Sequence, residues 1–141
     1  MSSATEANKD VCRGFFAAID AQDKQKASSF LHPKYRMSYP GMETPIDWDG
    51  HWTRTAGIAS GFSDLRHVPD VIVAEDNVVF VRGTVTGTND RPMFGQEPSG
   101  HAVDAQFMAV LRIEDQKIHE LFSIMDLARI SAQIGFDQTR I

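Results

Sequence analysis

The sequence predicts an α+β fold, with helices packed on one face of a curved, mostly antiparallel sheet. Three observations carry this. Apolar residues recur at three- and four-residue spacing through the N-terminal part, the period falls to two beyond Leu65, and polar turn clusters cut the second half into long strands. A sheet wrapped on N-terminal helices forms a cone with an internal cavity at its wide end, a space that suits small apolar ligands.

Residues 4–21 read as an amphipathic helix, with Val11, Phe15, Ala18 and Ile19 on one stripe and Phe16 broadening it. A short second helix is predicted from Lys24 to Leu31, stopped by Pro33. "YRMSY", Tyr35 to Tyr39, alternates as a short strand, and "PGMETPID" is a loop of turn formers. A third helix starts at Asp47 or Asp49, either of which can cap it, and places Trp48, Trp52, Thr55, Ala59 and Phe62 on one stripe. Strands follow over Leu65–Ala74 and Val78–Thr88, joined by "EDN". The loop "NDRPMFGQEPSG" leads to a strand over His101–Ile113, "EDQK" turns it, and Ile118–Met125 is the last strand. Leu127–Ile134 makes a terminal helix, with Gly135 at its C-terminal cap.

At 141 residues this is a single domain, spanning 1–141, without repeats or an internal linker. The net charge is −5 and no basic block interrupts it, which argues against nucleic-acid or membrane partners. The single cysteine, Cys12 in "VCRGFFAAID", excludes an internal disulfide or a cysteine-based metal cluster and reads as a core residue. The first ten residues are polar and no apolar run spans a membrane, so a soluble, cytoplasmic protein is expected.

Four stretches in order, "FLHPKY", "FSDLRHVPDVIVAEDNVVFVRGTVTGT", "MFGQEPSG" and "KIHELFSIMDLARISAQIG", resemble the SnoaL-like polyketide cyclase family of the NTF2-like superfamily. The similarity runs from about Ala7 to Gly135. It implies an NTF2-like α+β cone and a cofactor-free, metal-free enzyme or binding protein for a small hydrophobic molecule of polyketide or terpenoid type. It also implies a homodimer through the outer sheet face. In the family's cyclases an aspartate on the last strand acts as general acid and base. The matching position here, three before Asp126, is Ser123, and a neutral serine takes no proton near neutral pH without a base. Positions that are polar in the cyclase pocket correspond to Met37, Phe107 and Ala109.

By alternation one strand turns His101, Val103, Ala105, Phe107 and Ala109 to the cavity, and the next turns His119, Leu121, Ser123 and Met125. Asp126 precedes "LARI" and reads as that helix's cap, with catalysis or substrate binding as the alternative. His51, in the first turn of the third helix, can serve as a proton acceptor if buried and neutral, or lie exposed at the rim. Tyr35 and Tyr39 can polarise a carbonyl or simply pack. Trp48 and Trp52 roof the cavity or belong to the core. The outward face carries Arg82, Glu120, Phe80, Met108, Val110, Phe122 and Ile124, too apolar to stay wet, and is expected to be a subunit interface.

The expected activities are therefore cyclisation or isomerisation by acid/base chemistry with His51, a tyrosine or Asp126, or ligand binding without catalysis. Epoxide-opening hydrolysis is a lesser alternative, since it needs carboxylates inside the cavity.

Overall fold

The computed structural model describes residues 3–136. Helix α1 spans Ser3–Asp20, α2 Lys24–Ser28, β1 Leu31–Ser38, α3 Trp48–Ala59, β2 Arg66–Glu75, β3 Val78–Thr88, β4 Ala102–Glu114, β5 Lys117–Met125 and α4 Leu127–Ile134. The five strands form one curved, unclosed sheet in the order β1-β5-β4-β3-β2. Only the β1–β5 pairing is parallel.

The strand periodicity has its counterpart in burial. Along β4, Val103, Ala105, Phe107, Ala109, Leu111 and Ile113 are buried, and the residues between them are exposed. One face is therefore committed to the core. Against it lies α1, whose buried stripe includes Val11, Cys12, Phe15, Phe16, Ala18 and Ile19. Cys12 is fully buried, and that burial pushes its thiol up to about 12, which leaves it inert.

Both hairpin turns have two residues. In the second, Asp115 and Gln116 each hold positive φ (51° and 59°), the conformation that matches the twist of the flanking strands. A smaller cluster of Phe62, Met93, Val103, Ala105, Ile130 and Ile134 fixes α4 to β4. Asp126 caps α4 by accepting from the Arg129 N–H at 3.0 Å, and Gly135 closes it with φ 69°.

Three boundaries differ from the sequence expectation by more than one residue. Helix α2 ends at Ser28, not Leu31, because the Ser28 and Ser29 hydroxyls bond back to the carbonyls of Gln25 and Lys26 at 2.7 and 2.6 Å. Strand β1 begins at Leu31, four residues before Tyr35, and takes in Pro33. A proline is tolerated there because β1 is an edge strand whose pairing is irregular between Leu31 and Arg36. Phe62 lies past the end of α3, in an isolated bridge with Asn89.

Candidate functional site

A cavity of about 130 Å³ opens between α1, α3 and the inner face of the sheet. Its volume is close to that of a space that holds one benzene-sized ring, so a larger ligand must leave part of itself in the mouth. The lining is mostly hydrocarbon: Phe16 and Ile19 from α1, Met37 from β1, Phe107 from β4, Leu121 and Met125 from β5. The polar groups that interrupt it are His51, Arg54 and Thr55 on α3, His67 on β2, Tyr39 and Ser123. No Asp or Glu lines it among the described residues.

Helix α3 reaches the cavity through His51, Arg54, Thr55 and Ile58, the i, i+3, i+4, i+7 set of one helical face. This face is rotated from the expected Trp48/Trp52 stripe, and neither tryptophan lines the cavity. Trp48 instead packs on Phe15, Tyr35 and His51 at ring separations of 5.9, 6.2 and 5.5 Å, with Trp52 behind it at 5.6 Å. The Trp48 indole packs between α3 and Phe15 of α1, and the neighbouring face of α3 walls the cavity.

His51 is 6% exposed and its Nδ1 lies 2.9 Å from the Tyr35 hydroxyl. Burial lowers its pKa from 6.5 to about 4, with nearby Arg54 and His67 adding to the effect. His51 is therefore neutral at pH 7. Burial also pushes the Tyr35 phenol upward, so it keeps its proton. A neutral phenol is the better donor of the two, so Tyr35 donates to Nδ1 and His51 carries its own proton on Nε2.

His67 is held differently. Its Nδ1 lies 2.7 Å from Asp20 Oδ1, and its backbone N–H donates to Asp20 Oδ2 at 2.8 Å. A carboxylate only accepts, so Nδ1 carries a proton toward Asp20, and in the neutral form of the ring the lone pair is on Nε2. Phe16 and Phe107 pack against the ring at 5.1 and 4.9 Å and fix its plane. With both rings neutral, the cavity holds one histidine tautomer that donates and a second that accepts.

Of the site residues expected from sequence, Met37, Tyr39, His51, Phe107, Leu121 and Ser123 line this cavity together. Ala109 is buried and pairs with Ser123 across the sheet but does not reach the space. His101, expected on the pocket face, is exposed before the start of β4, its Nδ1 at 3.1 Å from the Gln133 carbonyl on α4. His119 is at the other end of β5, stacked on His32 at 4.0 Å. Asp126 is exposed, engaged as the α4 cap, and does not line the cavity.

Asp20, His67 and Arg54 were not singled out by the sequence. A usable signal exists for the first: Asp20 is the last residue of α1, where the helix dipole disfavours an anion, which asks for a specific partner. Among the described residues no group of three or more His, Cys, Asp or Glu side chains is arranged to hold a metal ion. No helix there is long and apolar enough to cross a membrane.

The His51 shift sets an acid dependence. Between 6.5 and about 4 only the unfolded chain takes up this proton, so stability must fall with pH across that window. Wild type should lose roughly 2 kcal/mol more than His51→Gln between about pH 7 and pH 5, measured by urea unfolding. Parallel pH profiles for the two proteins would refute the assignment.

The curved sheet, the helices on its inner face and the cavity between them define an NTF2-like cone. The model of the SnoaL-like polyketide cyclase family matches residues 9–134, and the chain belongs to that family. Among solved structures, TsrD from Streptomyces laurentii is 25% identical, with a TM-score of 0.77 over 96% of this chain and 98% of that one. IdmH, a candidate polyketide cyclase from Streptomyces antibioticus, is 23% identical, with a TM-score of 0.83 over 91% and 98%. TerC, co-crystallised with polyporic acid, is 17% identical, with a TM-score of 0.71 over 92% and 98%. The last two show the fold alone. No curated protein sequence matches the chain.

Proposed function

We propose that this protein binds a small, largely apolar carbonyl compound of polyketide or terpenoid type and moves a proton on it, as a cofactor-free isomerase or cyclase. The observation that carries the reading is the Asp20–His67 contact at 2.7 Å on the wall of an otherwise greasy cavity. His67 Nε2 takes a proton from carbon next to the carbonyl, and the electron pair moves onto the carbonyl oxygen. That oxygen accepts from His51 Nε2–H, a neutral donor that loses no proton in doing so. The enolate carbon is either reprotonated elsewhere, giving an isomer, or attacks a second carbonyl. In the latter case a C–C bond closes, and His67 returns its proton to the new alkoxide. Ser123, where cyclases of the family hold an aspartate, supplies a hydrogen bond and no base.

The test uses 2-tetralone in deuterated buffer. Wild type should speed exchange of its α-protons, followed by NMR, and His67→Gln should lose that acceleration while still binding the ketone. Binding without exchange would favour the second reading, a ligand-binding protein, for which the hydrocarbon lining speaks. Epoxide hydrolysis is disfavoured because, among the described residues, the lining holds no carboxylate.

We also propose that two copies meet through the outer sheet face. Met108, Val110, Phe122 and Ile124 are there 39–42% exposed, beside the Arg112–Glu120 and Arg82–Asp70 pairs at 3.5 and 3.3 Å. Such a surface is self-complementary across a two-fold axis. Light scattering should give a dimer at micromolar concentration and a monomer for Val110→Glu; a wild-type monomer would overturn this.

A further inference from the structure

We infer that the ligand of this cavity carries an anionic oxygen group, a carboxylate or an equally acidic enol, held in the mouth by Arg54. The inference rests on the reading of the cavity as the ligand site and adds a charge to that ligand. Arg54 lines the cavity, and its guanidinium carbon lies 4.1 Å above the centre of the Tyr39 ring. A guanidinium over a ring face makes no hydrogen bond there, which leaves its N–H donors for a bidentate partner.

The protein supplies no such partner. Among the described residues Arg54 makes no ion pair and no hydrogen bond, whereas Arg13, Arg82, Arg112 and Arg129 all pair with carboxylates. Its own helix cannot help: the positions three and four before and after it are His51, Gly50, Gly57 and Ile58. Other groups around the space do not neutralise it either. His51 is neutral, Tyr39 offers a ring, and Asp20, which serves the cavity through His67, is already committed to it through both oxygens. In a protein of net charge −5, a half-buried cation without a carboxylate, set among hydrocarbon, is a specific feature of this site.

The test compares 2-naphthoate with 2-naphthamide, which has nearly the same shape and no charge, by calorimetric titration at neutral pH. Wild type should bind the acid about ten- to a hundred-fold more tightly. Arg54→Gln should bind both alike, and Arg54→Lys, which keeps the charge without the fork, should retain part of the preference. Thermal unfolding of each variant shows that the fold persists. Equal affinity of wild type for acid and amide would overturn the inference while leaving the cavity as a ligand site. Failure of both probes to bind would overturn the ligand-site reading and this inference with it. A preference for the acid that survives in Arg54→Gln would place the anion elsewhere.

Discussion

Gly83→Ala should destabilise the protein by about 3 kcal/mol or more, because the added methyl has nowhere to go. A Cβ at Gly83 would lie 2.3 Å from the Val68 carbonyl oxygen, 2.7 Å from Pro69 Cα and 2.8 Å from Phe107 Cε1. Two of these are backbone atoms of the neighbouring strand, fixed by the β2–β3 ladder on either side. The crowding arises from the sheet's curvature. The β2–β3 register slips between Pro69 and Val71, a bulge that folds edge strand β2 over the inner face, and Gly83 is the residue it folds onto. Without the bulge His67 would not be turned toward α1, so the same glycine underlies both stability and the site. Urea unfolding should show the loss as a lower midpoint. A midpoint within about 0.5 kcal/mol of wild type would mean that β2 can move away freely.

This dependence marks what was and was not legible in the sequence. The strands were readable because β3 and β4 alternate without a break, so core demand and local pattern agree along "VVFVRGTVTGT" and "AVDAQFMAVLRIE". The caps were readable for a related reason, since Asp47, Asp126 and Gly135 act on backbone within four residues of themselves. Strand β1 was misplaced at its start because Pro33 breaks helices and strands alike in isolation, and only the edge position admits it. The site was half legible. His51 announced itself by standing in the first turn of a helix, and Ser123 through the family resemblance, which sets the cyclase aspartate three residues before Asp126. Asp20 and His67 are 47 residues apart, and nothing local couples them. They meet through a bulge that periodicity does not encode. Arg54 was not singled out because the cavity face of α3 is rotated from the Trp48/Trp52 stripe that the periodicity marks.

Asp20→Asn should sharply slow proton transfer while leaving the fold nearly intact. The carboxylate accepts two bonds from one residue, from the His67 backbone N–H and from its ring Nδ1–H. An asparagine has one accepting oxygen and one donating NH₂. The backbone N–H is always a donor, so the amide oxygen must stay with it, and the NH₂ is left facing Nδ1. The ring then has to accept at Nδ1 and carry its proton on Nε2, the tautomer that cannot take a proton from substrate. Both contacts survive in number, so stability should change little. Turnover should fall by about 10²–10⁴, the usual worth of a positioned base. Three measurements separate this from a general loosening of the site. Affinity for 2-naphthoate should be retained, nitrogen NMR should show the His67 proton moved from Nδ1 to Nε2, and Asp20→Glu should recover part of the exchange rate. An Asp20→Asn protein that exchanges 2-tetralone at the wild-type rate would remove His67 as the base, whatever the cavity binds.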